Sequence, residues 1–281
     1  MLTALAAATI MNLQPCTMHR VTFVKDETAP VDRLIPIEVA GKKGDLFIPE
    51  GYSPDTTGLL RISVHSPNWY ALSEHLKANL HEPLLILALG EGSATYAAPF
   101  ISTSALPDWL RAVEAKIPGY KVRGIRIASF SAGYGAVREW MKQPGNRMLI
   151  RRVLLCDSFY GGYLDAKTRL PDPANIDPWL PYALDAMAGR VSFVATNSRI
   201  TPNSYLSTWE VARAVGAKLR QSFVVPTSGA AASDPNYPLL EQLDAGHLHF
   251  WNYGGQDAQA HTVHLRHMAE IWRAMDDAKM P

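Results

Sequence analysis

The sequence predicts an α/β protein: a mostly parallel central sheet with helices on both faces and small cap-like insertions. Three observations carry this expectation. From about residue 33, short β-rich runs alternate with stretches of helical spacing, as parallel crossovers require. Hydrophobic residues make up 47% of the 281-residue chain and charged residues 19%, enough apolar material for a core on two sides of a sheet. In mid-chain, a turn of small residues joins an apolar strand directly to a helix.

The elements follow in order. Residues 34–39 and 45–48 flank Gly41-Lys42-Lys43-Gly44 as a hairpin, and 59–64 form a strand that ends at His65-Ser66-Pro67-Asn68. Residues 83–89 are the next strand, ending at Gly90-Glu91-Gly92-Ser93. Trp109, Leu110, Val113 and Ile117 give 108–117 helical spacing. A strand over 124–128 leads to a helix from 136 to 141, which Pro144-Gly145 stops. Strands over 149–156 and 190–195 follow, then a helix near 207–219, a last strand over 248–253 and a last helix over 258–275. Two stretches leave this rhythm: a Pro- and Asp-rich excursion over about 161–189, and a Gly/Ala/Ser/Pro loop over 227–238. Loops at strand ends of open α/β sheets shape ligand sites.

One domain over 31–281 accounts for the pattern, preceded by an N-terminal extension over 1–30. Its apolar stretch 2–11 resembles the tail of a secretory signal but lacks the basic n-region, and it is shorter than the roughly 20 residues a membrane span needs. The expectation is a soluble protein, cytoplasmic or exported. With 27 basic and 26 acidic residues and no basic run, the chain gives no reason to expect a nucleic acid or anionic membrane as partner. Two cysteines, Cys16 and Cys156, make no disulfide framework, and Cys156 reads as a small buried hydrophobe.

The most informative feature is Gly124-Ile125-Arg126-Ile127-Ala128 running into Ser129-Phe130-Ser131-Ala132-Gly133-Tyr134-Gly135. A nucleophilic serine held on a tight strand-to-helix turn needs small residues two before and two after it. Ser129 and Gly133 fill those places around Ser131, with Ser where Gly is usual. A serine hydroxyl is weakly nucleophilic until a base takes its proton, and the oxyanion it forms needs donors. The Ala132 N–H is one donor at the start of a helix. The other falls to the loop after an earlier strand, where Pro67 has no N–H; Ser66 is favoured over Asn68.

Five of nine histidines crowd the C-terminal part. His261 lies at the far end of the loop after the last strand, where the base of such a fold belongs. His247 and His249 lie at the wrong end of that strand, and His264 and His267 lie further along the helix. Asp157 ends the strand after the elbow helix, behind four apolar residues, and a carboxylate there is costly unless it faces a polar site. It is the expected acid, with Asp244 and Asp257 as alternatives. The position after the next strand, Ala195-Thr196-Asn197-Ser198, offers no carboxylate. The order Ser, Asp, His suits this arrangement. The histidines lack the spacing of a zinc site, so neither metal nor cofactor is expected.

These residues resemble the α/β-hydrolase superfamily over roughly 33–275. The runs 90–96, 129–136 and 257–265 are similar to poorly characterised bacterial hydrolases. The resemblance implies a serine hydrolase with Ser131, His261 and Asp157 as its triad, and carboxylester cleavage through an acyl-enzyme as its chemistry. An amidase or acyltransferase would use the same residues, and a non-catalytic binding protein of the same fold is the alternative from another class. Trp69, Tyr96, Phe159 and Tyr160, in strand-end loops with Tyr70, Phe100 and Tyr163, are expected to wall a partly apolar pocket for a small-molecule ester.

Overall fold

Leu84-Leu85-Ile86-Leu87 carries no polar side chain, and all four residues are buried, as a strand covered on both faces must be. In the computed structural model, which describes residues 13–22, 25, 28–226 and 234–281, this segment lies within a nine-stranded sheet. The apolar stretch 2–11 and residues 227–233 of the Gly/Ala/Ser/Pro loop lie outside the described residues.

The strands are β1 (Ile35–Val39), β2 (Lys42–Phe47), β3 (Leu59–Val64), β4 (Leu84–Leu87), β5 (Gly124–Phe130), β6 (Ile150–Cys156), β7 (Tyr163–Asp165), β8 (Leu170–Pro171), β9 (Ser192–Asn197), β10 (Leu239–Ala245) and β11 (Leu248–Tyr253). The helices are α1 (Asn68–Lys77), α2 (Ser93–Ala97), α3 (Ala105–Glu114), α4 (Tyr134–Lys142), α5 (Pro144–Leu149), α6 (Pro173–Ile176), α7 (Leu180–Met187), α8 (Thr208–Lys218), α9 (Ala258–Arg266) and α10 (Met268–Asp277).

The sheet order is β1-β2-β4-β3-β5-β6-β9-β11-β10. Pairing is parallel from β4 through β11 and antiparallel at both edges, where β1 and β2 form one hairpin and β10 and β11 the other. One core, on the face covered by α3, α4, α7 and α8, holds Trp109, Trp140, Tyr182 and Val215. The opposite core, under α1, α9 and α10, holds Tyr70, Val263, Ile271 and Trp272. Leu106, Trp109, Leu110 and Val113 show why α3 forms: their spacing puts four buried side chains on one stripe.

The structure departs from the sequence expectation in several places; among them, Ser93–Ala97 is helix α2, and Pro144-Gly145, which ends α4, also opens α5. Residues 239–245 form β10, which the sequence reading had not assigned; Gly246, at φ +61°, turns it back into β11. A Cβ at Gly246 would stand 2.2 Å from the Met187 carbonyl oxygen, so that turn admits only glycine. The segment after Pro67 is helix α1 rather than loop. The last helix is two, α9 and α10, separated at His267. The excursion over about 161–189 holds the small β7–β8 hairpin, α6 and α7. None of the helices among the described residues is long and apolar enough to cross a membrane.

Candidate active site

Three non-glycine residues with left-handed backbone stand at the ends of consecutive strands. They are His65 (φ +60°) after β3, Ser131 (φ +48°) after β5 and Asp157 (φ +42°) after β6. Such a conformation costs an L-residue of order 1–3 kcal/mol and persists where the surroundings fix it. At Ser131 the cause is the turn from strand to helix. Phe130 is still extended (φ −119°, ψ 143°), and a short 3-10 turn, Ser131–Gly133, opens directly into α4. A Cβ at Gly133 would stand 2.5 Å from Ser129 Oγ and 2.8 Å from the Val64 carbonyl oxygen, so only glycine lets the helix start this close to β3 and β5.

Ser129 is fully buried and shares a 2.8 Å hydrogen bond with Ser158 Oγ, which in turn donates to the Ser131 carbonyl oxygen at 2.8 Å. The residue replacing the usual glycine therefore takes part in holding the turn. Ser131 and Ala132 are half-buried and both line a cavity of about 890 Å³ that also includes His65, Tyr160, Tyr205 and His261. Among the described residues, Ser131 Oγ makes no hydrogen bond, so its hydroxyl is unengaged. In particular, no hydrogen bond joins it to His261.

Asp157 is wholly buried and densely satisfied. Its Oδ1 accepts from the Ser198 N–H (2.9 Å) and the Thr208 hydroxyl (2.6 Å). Its Oδ2 faces His261 Nδ1 (2.7 Å), the Ser198 hydroxyl (2.8 Å) and, more distantly, the Tyr160 hydroxyl (3.4 Å). Burial alone would raise the Asp157 pKa, but the hydrogen bond from His261 and the remaining donors outweigh it and hold the carboxyl down at about 2. Because the neighbouring carboxylate only accepts, the Nδ1 of His261 carries the proton and its Nε2 is left as an acceptor.

His261 sits in the first turn of α9, which Asp257 caps by accepting from the Ala260 N–H at 2.7 Å. Its ring stacks on Phe130 with centroids 4.6 Å apart, and Phe130 also stacks on His65 at 6.2 Å. The remaining histidines and carboxylates are placed elsewhere. Asp244 pairs with His249 at 2.6 Å on the β10–β11 hairpin, and His247 does not line the cavity. His264 is buried in the core, where loss of hydration pushes its pKa down to about 4. His267 pairs with Glu270 at 2.8 Å.

Of the aromatic residues expected at the pocket wall, Tyr160 lines the cavity and Trp69, Tyr96 and Phe159 do not. Trp69 lies on α1 with its ring edge-on to Tyr70, because the segment is helical. Phe159 is fully buried among Trp179, Phe193 and Phe250. Tyr96 is also buried, and its hydroxyl donates to the Gly90 carbonyl (2.8 Å), accepts from the Leu89 N–H (3.1 Å) and meets His65 Nδ1 at 2.9 Å. Tyr96 thus contacts His65, which lines the cavity, and does not line it itself. Ser66 is buried with its hydroxyl unpartnered among the described residues, and the cavity wall at that strand end is His65. The sequence reading did not find Ser198 and Thr208 as supports of Asp157, nor Tyr134, Arg138, Asn175 and Tyr205 as cavity wall. They come from three separate chain segments, and no motif joins them.

The strand order, the tight turn after β5, and the carboxylate and histidine gathered at the same sheet end define the α/β-hydrolase fold. No protein-family model matches the sequence, and the comparison with curated proteins found no match. Among solved structures, the chain is similar to ferric enterobactin esterase from Salmonella typhimurium, at 12% identity and a TM-score of 0.50, covering 85% of this chain and 57% of that one. It is also similar to LpqC, a poly(3-hydroxybutyrate) depolymerase from Bordetella parapertussis, at 12% identity and a TM-score of 0.49 over 91% of this chain and 88% of that one. A third likeness is to an uncharacterised protein from Capnocytophaga ochracea, at 9% identity and a TM-score of 0.48 over 85% of this chain and 62% of that one. The chain therefore spans less than two thirds of the Salmonella and Capnocytophaga proteins.

Proposed function

We propose that the protein is a serine hydrolase that cleaves a carboxylic ester through an acyl-enzyme on Ser131. The observation that carries this reading is the wholly buried Asp157, 2.7 Å from His261 Nδ1, with His261 and a serine in strained backbone lining one cavity. A wholly buried carboxylate held by several donors and set against a cavity-lining histidine supports a task at His261.

In the proposed reaction His261 Nε2 takes the Ser131 proton as Oγ attacks the ester carbonyl carbon, and a tetrahedral intermediate forms. The Ala132 N–H, at the opening of α4, donates to the oxyanion. Ser66, which is buried and does not itself line the cavity, is the proposed second donor from the loop after β3: the His65 N–H is already engaged by the Leu87 carbonyl oxygen at 3.1 Å, and Pro67 has none. His261 then returns its proton to the leaving alcohol, and water repeats the sequence in reverse to free the acid. Asp157 stays ionised throughout and stabilises the imidazolium. An amide would pass through the same steps. The ester is preferred because an alcohol leaves more readily than an amine.

The test is labelling by a fluorophosphonate probe followed by mass-spectrometric mapping. The adduct is expected on Ser131, and Ser131→Ala should abolish both labelling and turnover of p-nitrophenyl esters. An unlabelled, inactive but folded wild-type protein would favour the non-catalytic reading.

A further inference from the structure

We propose that the ester taken by this site carries a negatively charged group, and that Arg138 binds it. This rests on the serine-hydrolase reading. Arg138 is on α4, the helix that the Ser131 turn opens, and lines the same cavity as Ser131 and His261.

Its charge is not matched by the protein. Among the described residues no carboxylate forms an ion pair with Arg138; its Nη1 donates to the neutral Asn175 amide oxygen, and its guanidinium lies 5.3 Å from the centre of the Tyr134 ring. Its Nε is buried without a partner. An unpaired buried donor is costly, and a guanidinium is satisfied best by a planar anion that accepts from two of its N–H groups. Three other buried or half-buried arginines are neutralised, Arg126 by Glu82, Arg152 by Asp276 and Arg169 by Glu210, whereas half-buried Arg147 donates to the Met141 carbonyl oxygen and does not line the cavity. Arg61, a buried guanidinium without a carboxylate ion pair among the described residues, lies over the Trp272 ring and does not line the cavity. Glu91, which does line it, is exposed and makes no ion pair with Arg138.

Arg138 is also held in place. Asn175 donates its Nδ2 to Asp172 Oδ2 at 2.9 Å, and that fixes its amide oxygen toward Arg138. Seven positions separate Ser131 from Arg138, about 10 Å along a helix axis, and helical side chains lean back toward the N-terminus. A carboxylate several bonds from the reacting carbonyl fits that span, as in a half-ester of a short dicarboxylic acid. A carboxylate on the alcohol part offers the same chemistry from the other side.

The test compares kcat/KM for matched charged and neutral esters. For the acyl side, the pair is the mono-p-nitrophenyl esters of glutarate and adipate against their methyl-capped forms. For the alcohol side, it is 4-acetoxybenzoate against its methyl ester. The charged member of at least one pair should be favoured by about tenfold or more, the usual worth of a hydrogen-bonded charge pair. Arg138→Gln should collapse that ratio by about tenfold, Arg138→Lys should restore part of it, and exposed Arg273→Gln should leave it unchanged. Equal turnover of charged and neutral esters, or a preference that survives Arg138→Gln, overturns the proposal. Fluorophosphonate labelling of the same variant reports separately on Ser131. Should wild type turn over no ester, calorimetry with monomethyl against dimethyl glutarate decides. Binding of the half-ester that Arg138→Gln removes supports the proposal, and its absence in wild type overturns it.

Discussion

Asp157→Asn isolates what the buried carboxylate does to His261, because the new side chain has nearly the same shape. The amide can sit in only one of two orientations. Asp157 Oδ1 now accepts from the Ser198 N–H and the Thr208 hydroxyl, and a backbone N–H can only donate. The asparagine oxygen must therefore take the Oδ1 position, which places the NH2 group where Oδ2 faced His261 Nδ1. Nδ1 must then accept, the imidazole proton moves to Nε2, and Nε2 can no longer take the Ser131 proton. Turnover of p-nitrophenyl butyrate should fall by about 10³–10⁴, the cost of a wrong tautomer in such a triad. KM should change little, since Asp157 is wholly buried. Replacing a charge that accepts from several donors should also lower stability by about 1–3 kcal/mol, read as a drop in Tm. Adding Asp157→Asn to His261→Ala should cost little more than His261→Ala alone, because the groups act as one unit. A single variant with kcat within about tenfold of wild type would refute tautomer control by Asp157.

Other consequences follow from the same structure. Gly133→Ala puts a methyl group 2.5 Å from Ser129 Oγ and 2.8 Å from the Val64 carbonyl oxygen, so it should lower stability by more than about 1 kcal/mol and abolish fluorophosphonate labelling. The depressed pKa of Asp157, about 2, stabilises the fold above the ordinary 3.8, and that contribution is lost as pH falls through the folded value. The Tm gap between wild type and Asp157→Asn at pH 7 should therefore close from about pH 4 toward pH 2; a constant gap would contradict this. Buried His264 has the opposite charge and the same sign of linkage. Its pKa falls from 6.5 to about 4, so the unfolded chain binds the extra proton and stability declines as pH drops through that window. His264→Gln should flatten the decline in a pH series of melts. Dialysis against a chelator should leave ester turnover intact, since His261 Nδ1 is committed to Asp157. Its loss and specific recovery with zinc would count against the proposed proton path.

How legible all this was in the sequence follows from the range of the interactions involved. β3 and β11 were read to the residue because their ends are set locally, by the turn at His65-Ser66-Pro67 and by Gly246-His247 and Gly254-Gly255. Ser131, Asp157 and His261 could be nominated because each stands where an apolar strand stops or soon after; Ser131 and His261 line the cavity there, and Asp157 is wholly buried against His261. β10 was missed because Leu239-Leu240-Glu241-Gln242-Leu243 becomes a strand only by pairing with β11, a tertiary condition. The break at His267 was hidden for a related reason: residues 258–275 contain no Gly or Pro, and nothing local announces it. The aromatic residues illustrate the point most sharply. Phe159 and Tyr160 are neighbours at one strand end, yet the first joins a buried stack with Trp179 and Phe193 while the second faces Asp157 and His261. Which of two adjacent rings faces a cavity depends on the twist of the chain after β6, and Asp157, at φ +42°, sets that twist. The residue proposed to orient His261 thus stands in left-handed backbone three positions before Tyr160, which lines the cavity, so the proposed chemistry and the wall of the site adjoin in one short turn.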